Sequence, residues 1–379
     1  MSEFREEAMR EPNIGTVPPP GYFIREELEA RGWSQRDLAY ILDCPEQAVN
    51  MIISGKRGIS SEMAKALGEA FDVPPEFFAN LQNAYDLAKA RDPDPGVKRR
   101  ARLQDGYPVR EMIKRGWLQD TDATLLEIQM ARFFEVSDPE AIPHIKHAAK
   151  KTITEQAPAP QLAWLFRVRQ IAKSISMAVA YSEKKLREAL GHLRQMTVDP
   201  EEIRHVPRIM MECGVRYIIV EGLPGGKIDG VCFWLDPRSP VIGMSLRFDR
   251  IDNFWLVLRH EIEHVLCGHG KIEPIIDVDV ETTDAADDDE KIAIAASLVF
   301  TIPQGEMASF IARKQPFFSE RDLIGFARRI QVHPGIVAGQ LRHQTGRFDV
   351  FHKFLVKIRQ FATSGAIVDG WGQIAPVTL

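Results

Sequence analysis

Five residues of this 379-residue chain carry the clearest chemistry: His260-Glu261-Ile262-Glu263-His264. On a helix, positions i and i+4 share a face, so the two imidazoles can reach one zinc ion. Glu261 sits beside that face, where a carboxylate can act on water in a hydrolytic centre. The preceding run Phe254–Leu258 is apolar, which predicts a buried helix presenting both histidines to a dry cleft. Chance alone produces an HExxH pattern in about one chain of this length in a hundred, so the motif outweighs the reading of two unconnected surface histidines.

A catalytic zinc needs a third protein ligand and one open position. His269 is one residue out of register for the metzincin spacing, because Cys267 and Gly270 stand where that spacing needs Gly and His. His269 is therefore expected near the helix end as a polar wall residue or simply solvated, and Cys267 is expected to pack as a small hydrophobe. Downstream, residues 290–303 read as a helix of small residues ending at Pro303, able to pack closely against the HExxH helix.

The elements that must position these groups follow from the surrounding texture. Arg216–Val220, Gly230–Leu235 and Pro240–Leu246 are short, β-branched and aromatic runs broken by Gly and Pro, and they predict strands of a small sheet. A helix is expected over Asn253–Cys267. Asp277, Asp279, Glu281, Asp284, Asp287, Asp288, Asp289 and Glu290 then crowd fourteen residues without a base. A mobile solvated loop is favoured there over a gate or a docking patch. Further helices are expected over Thr121–Glu135, Gln161–Tyr181 and Glu183–Met196.

Ahead of this lie four expected helices between Tyr22 and Asp72. Ser34 is a good N-cap with Asp37 three residues on, and a tight turn at Asp43-Cys44-Pro45 leads into a helix over Glu46–Ser54. Val49, Ile52 and Ile53 would face its core. The pattern suits a helix-turn-helix with Glu46–Ser54 as recognition helix. Gln47 and Asn50 would face outward, with side chains able to pair with adenine edges. Lys56 and Arg57, and Ser34 and Gln35 at the preceding helix start, could hold phosphate. An ordinary helical bundle is the alternative, since residues 22–91 carry more acids than bases.

The reading as a whole is α+β and mostly α. It comprises an arm (1–20), a helix-turn-helix bundle (21–91), a helical linker region (92–200) and a zincin-like domain with a small sheet and C-terminal helices (201–379). The net charge of −5 argues against a globally basic coat for nucleic acid but leaves room for a local face. Four scattered cysteines without a CxxC pair argue against a disulfide framework. The charged N-terminus lacks the apolar core of a signal peptide, and no apolar run is long enough for a membrane span. A cytoplasmic protein without a membrane partner is expected.

Two resemblances sharpen these expectations. The run GYFIREELEARGWSQRDLAYIL, continued by VNMIISGKRGISSEMAKALGEAFDVPPEFFANL, resembles the Xre-type domain of HigA-family antitoxins, which implies a homodimer on a palindromic double-stranded operator and a possible toxin partner. Pro45-Glu46 stands where that family has a small or apolar residue. Residues 207–346, with CGVRYIIVEGL, the HExxH helix and VHPGIVAGQLRHQTG, resemble the ImmA/IrrE metallopeptidases. That resemblance implies Zn2+ held by His260, His264 and Glu290, with Glu261 as general base. It also implies a repressor protein as substrate. His333, in the last motif, is a candidate for lining the cleft and stabilising an oxyanion, set against an equal case that it caps the helix start before Pro334. Ile294 and Ala296 replace the family's Asn and Phe. The combined expectation is a transcriptional autoregulator with a zinc endopeptidase. The alternative is an antitoxin-type DNA-binding protein with a zinc-stabilised sensor domain and no turnover.

Overall fold

A computed structural model of the chain describes residues 17–137, 157–278 and 288–377, in two compact units that divide between Asp94 and Pro95. Among the described residues the first unit contains five helices: α1 (Pro20–Arg31), α2 (Gln35–Ile41), α3 (Glu46–Ile53), α4 (Ser61–Phe71) and α5 (Pro75–Lys89). Ser34 starts α2 through a capping box, its side chain accepting from the Asp37 N–H while the Asp37 side chain accepts from the Ser34 N–H. Ile24, Leu28, Leu38, Val49, Ile52, Leu67, Phe71 and Phe78 form the core of this unit. At Gly21 a Cβ would lie 2.4 Å from the Ile53 carbonyl oxygen, so the α1 and α3 backbones meet where only glycine fits.

The second unit is built on a five-stranded sheet of β1 (Arg216–Val220), β2 (Ile228–Trp234), β3 (Pro240–Met244), β4 (Ile275–Val278) and β5 (Ile367–Asp369), in the order β4-β2-β3-β1-β5. β1 runs parallel to β3 and β5, and β2 runs antiparallel to β3 and β4. Alternate residues face opposite sides. Tyr217, Ile219, Cys232, Ile242 and Met244 join one buried cluster, whereas Ile218, Val220, Val231, Phe233 and Val241 join another. The sheet is therefore covered on both faces, and its strands read as near-continuous apolar runs.

Helices between Gly96 and Ser174 supply one of those covers. α6 (Gly96–Gly106), α7 (Val109–Lys114), α8 (Ala123–Phe133) and α9 (Ala159–Ser174) carry Leu103, Met112, Met130, Trp164, Leu165 and Val168 into the second cluster. A helical linker region was expected over 92–200, whereas the contacts divide the chain between Asp94 and Pro95. α9 also ends at Ser174 rather than Tyr181, where the Ser174 hydroxyl turns back to donate to the Ile171 carbonyl.

Polar pins fix this layer to the sheet. The Trp164 indole donates to the Val220 carbonyl at 2.8 Å. Arg167 Nε donates to Asp369 Oδ2 at 2.6 Å, and the Trp117 indole donates to Asp369 Oδ1 at 3.0 Å. Asp369 is 1% exposed, so Arg167→Met is expected to strand its charge and cost about 3–5 kcal/mol. Urea unfolding that shows a lower midpoint at unchanged slope checks this, and a loss below about 1 kcal/mol would deny the pair its role.

The opposite face carries α10 (Glu183–Met196), α11 (Val206–Glu212), α12 (Ile251–Cys267), α13 (Asp288–Thr301), α14 (Gln304–Lys314), α15 (Glu320–Ile330), α16 (Pro334–Thr345) and the short α17 (Arg359–Ala362). Among the described residues no single helix is long and apolar enough to cross a membrane.

Candidate metal centre and nucleic-acid interface

α12 is buried on nearly every side, with Phe254, Trp255, Val257, Leu258, Ile262 and Val265 inside the core. Its apolar residues meet neighbours on several sides, because the helix lies between the sheet, α13 and α16. Ala293 and Ser297 on α13 are buried, and such small side chains let the α13 backbone approach α12 closely.

This packing gathers His260, His264, Asp277 and Glu290 into one fully buried group whose ligand atoms all lie within 4.8 Å of one another. The His260 and His264 Nε2 atoms are 3.0 Å apart. Glu290 reaches them at 3.4 and 3.3 Å, and Asp277 Oδ2 at 3.2 and 3.8 Å. Four donors placed about 2.0–2.1 Å from a common centre stand about 3.3 Å apart, so the spacing matches a tetrahedral site. Both Asp277 oxygens and Glu290 Oε1 are buried without a hydrogen-bond partner. Two carboxylates in an interior need positive charge beside them, and this donor set of two imidazole nitrogens and two carboxylate oxygens can hold a metal ion.

The structure thus brings together three residues singled out from the sequence and adds Asp277. That residue was expected in a solvated acidic loop. It lies instead in β4, 1% exposed, paired in register with Gly230 of β2. Asp279, Glu281, Asp284 and Asp287 lie outside the described residues. Asp288, Asp289 and Glu290 form the first turn of α13, where carboxylates suit the positive helix end.

Glu261 is fully buried and neither carboxylate oxygen has a hydrogen-bond partner. Burial, then the charges of Asp277 and Glu290, push its pKa well above the usual carboxylate range. A Cβ on Gly230 would lie 2.0 Å from Glu261 Oε1, so glycine there leaves the space that the carboxylate occupies. The β2–β4 register shifts between Ile228 and Gly230, and such a bulge re-aims the side chains beside it.

A second layer supports the histidines. His264 Nδ1 is 3.0 Å from His269 Nδ1, and His269 Nε2 is 3.2 Å from Asp289 Oδ1. The chain of rings and carboxylate orients His264, as outer partners of metal ligands do. The expected wall or solvated role for His269 is replaced by this one; the signal available in sequence was only its nearness to the motif. Cys267 is exposed, its thiol directed at Glu263, rather than packed as a hydrophobe. His333 is not in the group: it is the N-cap of α16, its Nδ1 accepting from the Gly335 N–H at 3.0 Å. A cavity of about 310 Å3 lined by Asp252, Leu256, Leu298, Thr301, Gly339 and Gln340 holds none of the four donors.

In the first unit, α3 turns Val49, Ile52 and Ile53 inward and leaves Gln47 and Asn50 exposed one turn apart. Lys56 and Arg57 are exposed just beyond its end. Ser34 is exposed but engaged in its capping box, and Gln35 is half-buried in the first turn of α2. Glu46, at the start of α3, lies 3.4 Å from Arg36.

Residues 24–78 match the helix-turn-helix family model. A virulence-associated protein A' of Dichelobacter nodosus is 42% identical over 73 residues, which are 19% of this chain and 64% of that protein. The chain thus spans under two thirds of that relative. An HTH-type transcriptional regulator of Escherichia coli K12, YddM, is 33% identical over 73 residues, 19% of this chain and 78% of its own length. An addiction module antidote protein of the HigA family from Coxiella burnetii, a solved structure, is 36% identical over 19% of this chain and 80% of its own, with a TM-score of 0.19.

Proposed function

We propose, for a chain that belongs through its N-terminal unit to the helix-turn-helix transcriptional regulators, that the first unit binds operator DNA and the second is a zinc-dependent peptidase-like domain governing that binding. The observation that carries the second half is the buried group His260, His264, Asp277 and Glu290 with Glu261 beside it.

His260, His264 and Glu290 would hold the zinc, whose borderline-soft, tetrahedral preference suits two imidazoles and carboxylate. When bound, zinc polarises a scissile carbonyl and lowers the pKa of water. Glu261 then serves as proton carrier: its carboxylate takes a proton from the attacking water and hands it to the leaving nitrogen. Its buried setting excludes bulk water that would otherwise compete for that proton. Gly230 keeps the space for the carboxylate to turn, and His269 with Asp289 holds the His264 ring. The substrate class is a polypeptide, with a repressor as the favoured case.

For the first unit, α3 enters the major groove as a recognition helix, with Gln47 and Asn50 toward base edges and Ser34, Gln35, Lys56 and Arg57 toward phosphate. A homodimer on a palindromic operator follows from that geometry. Asn50→Ala is expected to weaken specific binding by about 1–3 kcal/mol, roughly 5- to 150-fold, with nonspecific binding unchanged. Electrophoretic mobility shifts at fixed salt check this; equal losses on operator and random DNA would remove Asn50 from base reading.

Elemental analysis tests the metal. About one zinc per wild-type chain, lost in His264→Ala, is expected. A wild type still metal-free after zinc reconstitution would remove the peptidase reading and leave a DNA-binding regulator. A second reading, an antitoxin-type regulator with a toxin partner and a zinc-stabilised sensor domain without turnover, is favoured by one observation: the group offers four protein donors instead of three.

A further inference from the structure

The fourth donor carries an inference of its own, resting on the metal reading above. Hydrolytic zinc centres use three protein ligands and keep one position open, whereas centres closed by four protein ligands are structural. Here Asp277 is a fourth buried donor in the same group, 3.2 Å from His260 Nε2 and 3.8 Å from His264 Nε2. It is not a stray surface acid. It is 1% exposed, and the groups it faces are the two imidazoles of the cluster. Its placement is built into the sheet: Asp277 is opposite Gly230, at the bulge that also makes room for Glu261.

We propose that Asp277 is a fourth protein ligand that closes the metal centre, so that the second unit rests in a latent state and opens only when β4 withdraws. β4 suits that role. It has four residues and lies at the sheet edge, paired with β2 alone. Its release breaks one short ladder and leaves the other four strands paired. Withdrawal carries Asp277 out of the cluster while His260 and His264 on α12 and Glu290 on α13 keep their places. The exposed position then faces Glu261, the one buried carboxylate of the cluster that the metal does not use. The proposal unites the two readings above, because the same centre is closed as a sensor and open as a peptidase.

Cobalt(II) substitution of the full-length chain, read by visible absorption, tests this. Wild type is expected to bind one cobalt and give an intense tetrahedral spectrum that acetohydroxamate, a bidentate ligand for open sites, leaves unchanged. Asp277→Ala and the milder Asp277→Asn are expected to retain cobalt at an affinity lowered on the order of tenfold or more and to shift their spectra when acetohydroxamate is added. A wild-type spectrum that responds to acetohydroxamate as the variants do would overturn the closure while leaving the metal centre standing, and this arm is independent of whether either variant folds. Wild type that binds no cobalt would overturn the metal reading and the closure together, with His264→Ala as the metal-free reference spectrum.

Discussion

Stripping metal from the full-length chain with EDTA is expected to lower the thermal midpoint of the second unit by about 4–7 °C and to leave that of the first unchanged. The four donors are buried and converge, so an ion at their centre binds the folded form and loses its site on unfolding. A ligand at 100 to 1,000 times its dissociation constant stabilises by about 2.7–4.1 kcal/mol. For a unit running from Pro95 to Leu379, an unfolding entropy of about 2.1 cal/mol/K per residue makes each kcal/mol worth about 1.7 °C. Differential scanning calorimetry with and without chelator reads both transitions. A transition of the second unit that does not move with chelator would mean that the cluster stands without an ion.

The same experiment has a pH dependence of defined sign. In the metal-free cluster burial opposes the charged His260 ring, but the charges and hydrogen bonds of Asp277 and Glu290 outweigh it and raise its pKa to about 10. Metal must displace that proton. Apparent affinity therefore falls about tenfold for each pH unit below that value. For the metal-free fold alone, the raised pKa adds stability that is fully present below the unfolded value of 6.5 and lost as pH climbs toward 10. Both effects shrink the EDTA-induced drop as pH falls from about 8 to 6.

How much of this was legible in the sequence depended on whether the signal was local. The HExxH helix was legible because two histidines at i and i+4 and an apolar run ahead of them all fall within one element. The helix-turn-helix was legible for the same reason: Ser34 and Asp37 mark a start three residues apart, and Val49, Ile52 and Ile53 mark an inward stripe. Asp277 was not legible. It is one acid among eight in a stretch whose composition argues for solvent, and the strand that buries it has only four residues. Its partner Gly230 lies 47 positions earlier, and no local period links the two. The layer made by α6–α9 was missed differently. The helices themselves could be read, but their role as a cover depends on contacts such as Trp164 with Val220 and Arg167 with Asp369, 202 residues apart, which no window along the chain contains. His269 failed as a ligand on spacing alone, and spacing cannot reveal a side chain held between His264 and Asp289.

Glu261→Gln is expected to abolish peptide hydrolysis by about 10²- to 10⁴-fold while leaving zinc content, folding and operator binding intact. Its small structural cost follows from the resting state. Burial and two flanking carboxylates push the Glu261 carboxyl well above the usual carboxylate range, which favours its neutral form, and an amide of the same shape is neutral too. With Asp277 withdrawn and Glu290 engaged as a metal ligand, less negative charge would oppose ionisation of Glu261, whose carboxylate can accept a proton; an amide cannot. Gly230→Ala is expected to give the same loss by another route, since its Cβ would lie 2.0 Å from Glu261 Oε1 and drive the side chain out of position. Both variants are compared with wild type in release of repression at the chain's own promoter and in cleavage of a helix-turn-helix repressor. Loss of both activities with metal retained is the expected pattern. If Glu261→Gln releases repression as wild type does while binding one zinc, proton transfer at this centre has no part in regulation. The buried group then acts through its closed, zinc-bound state alone.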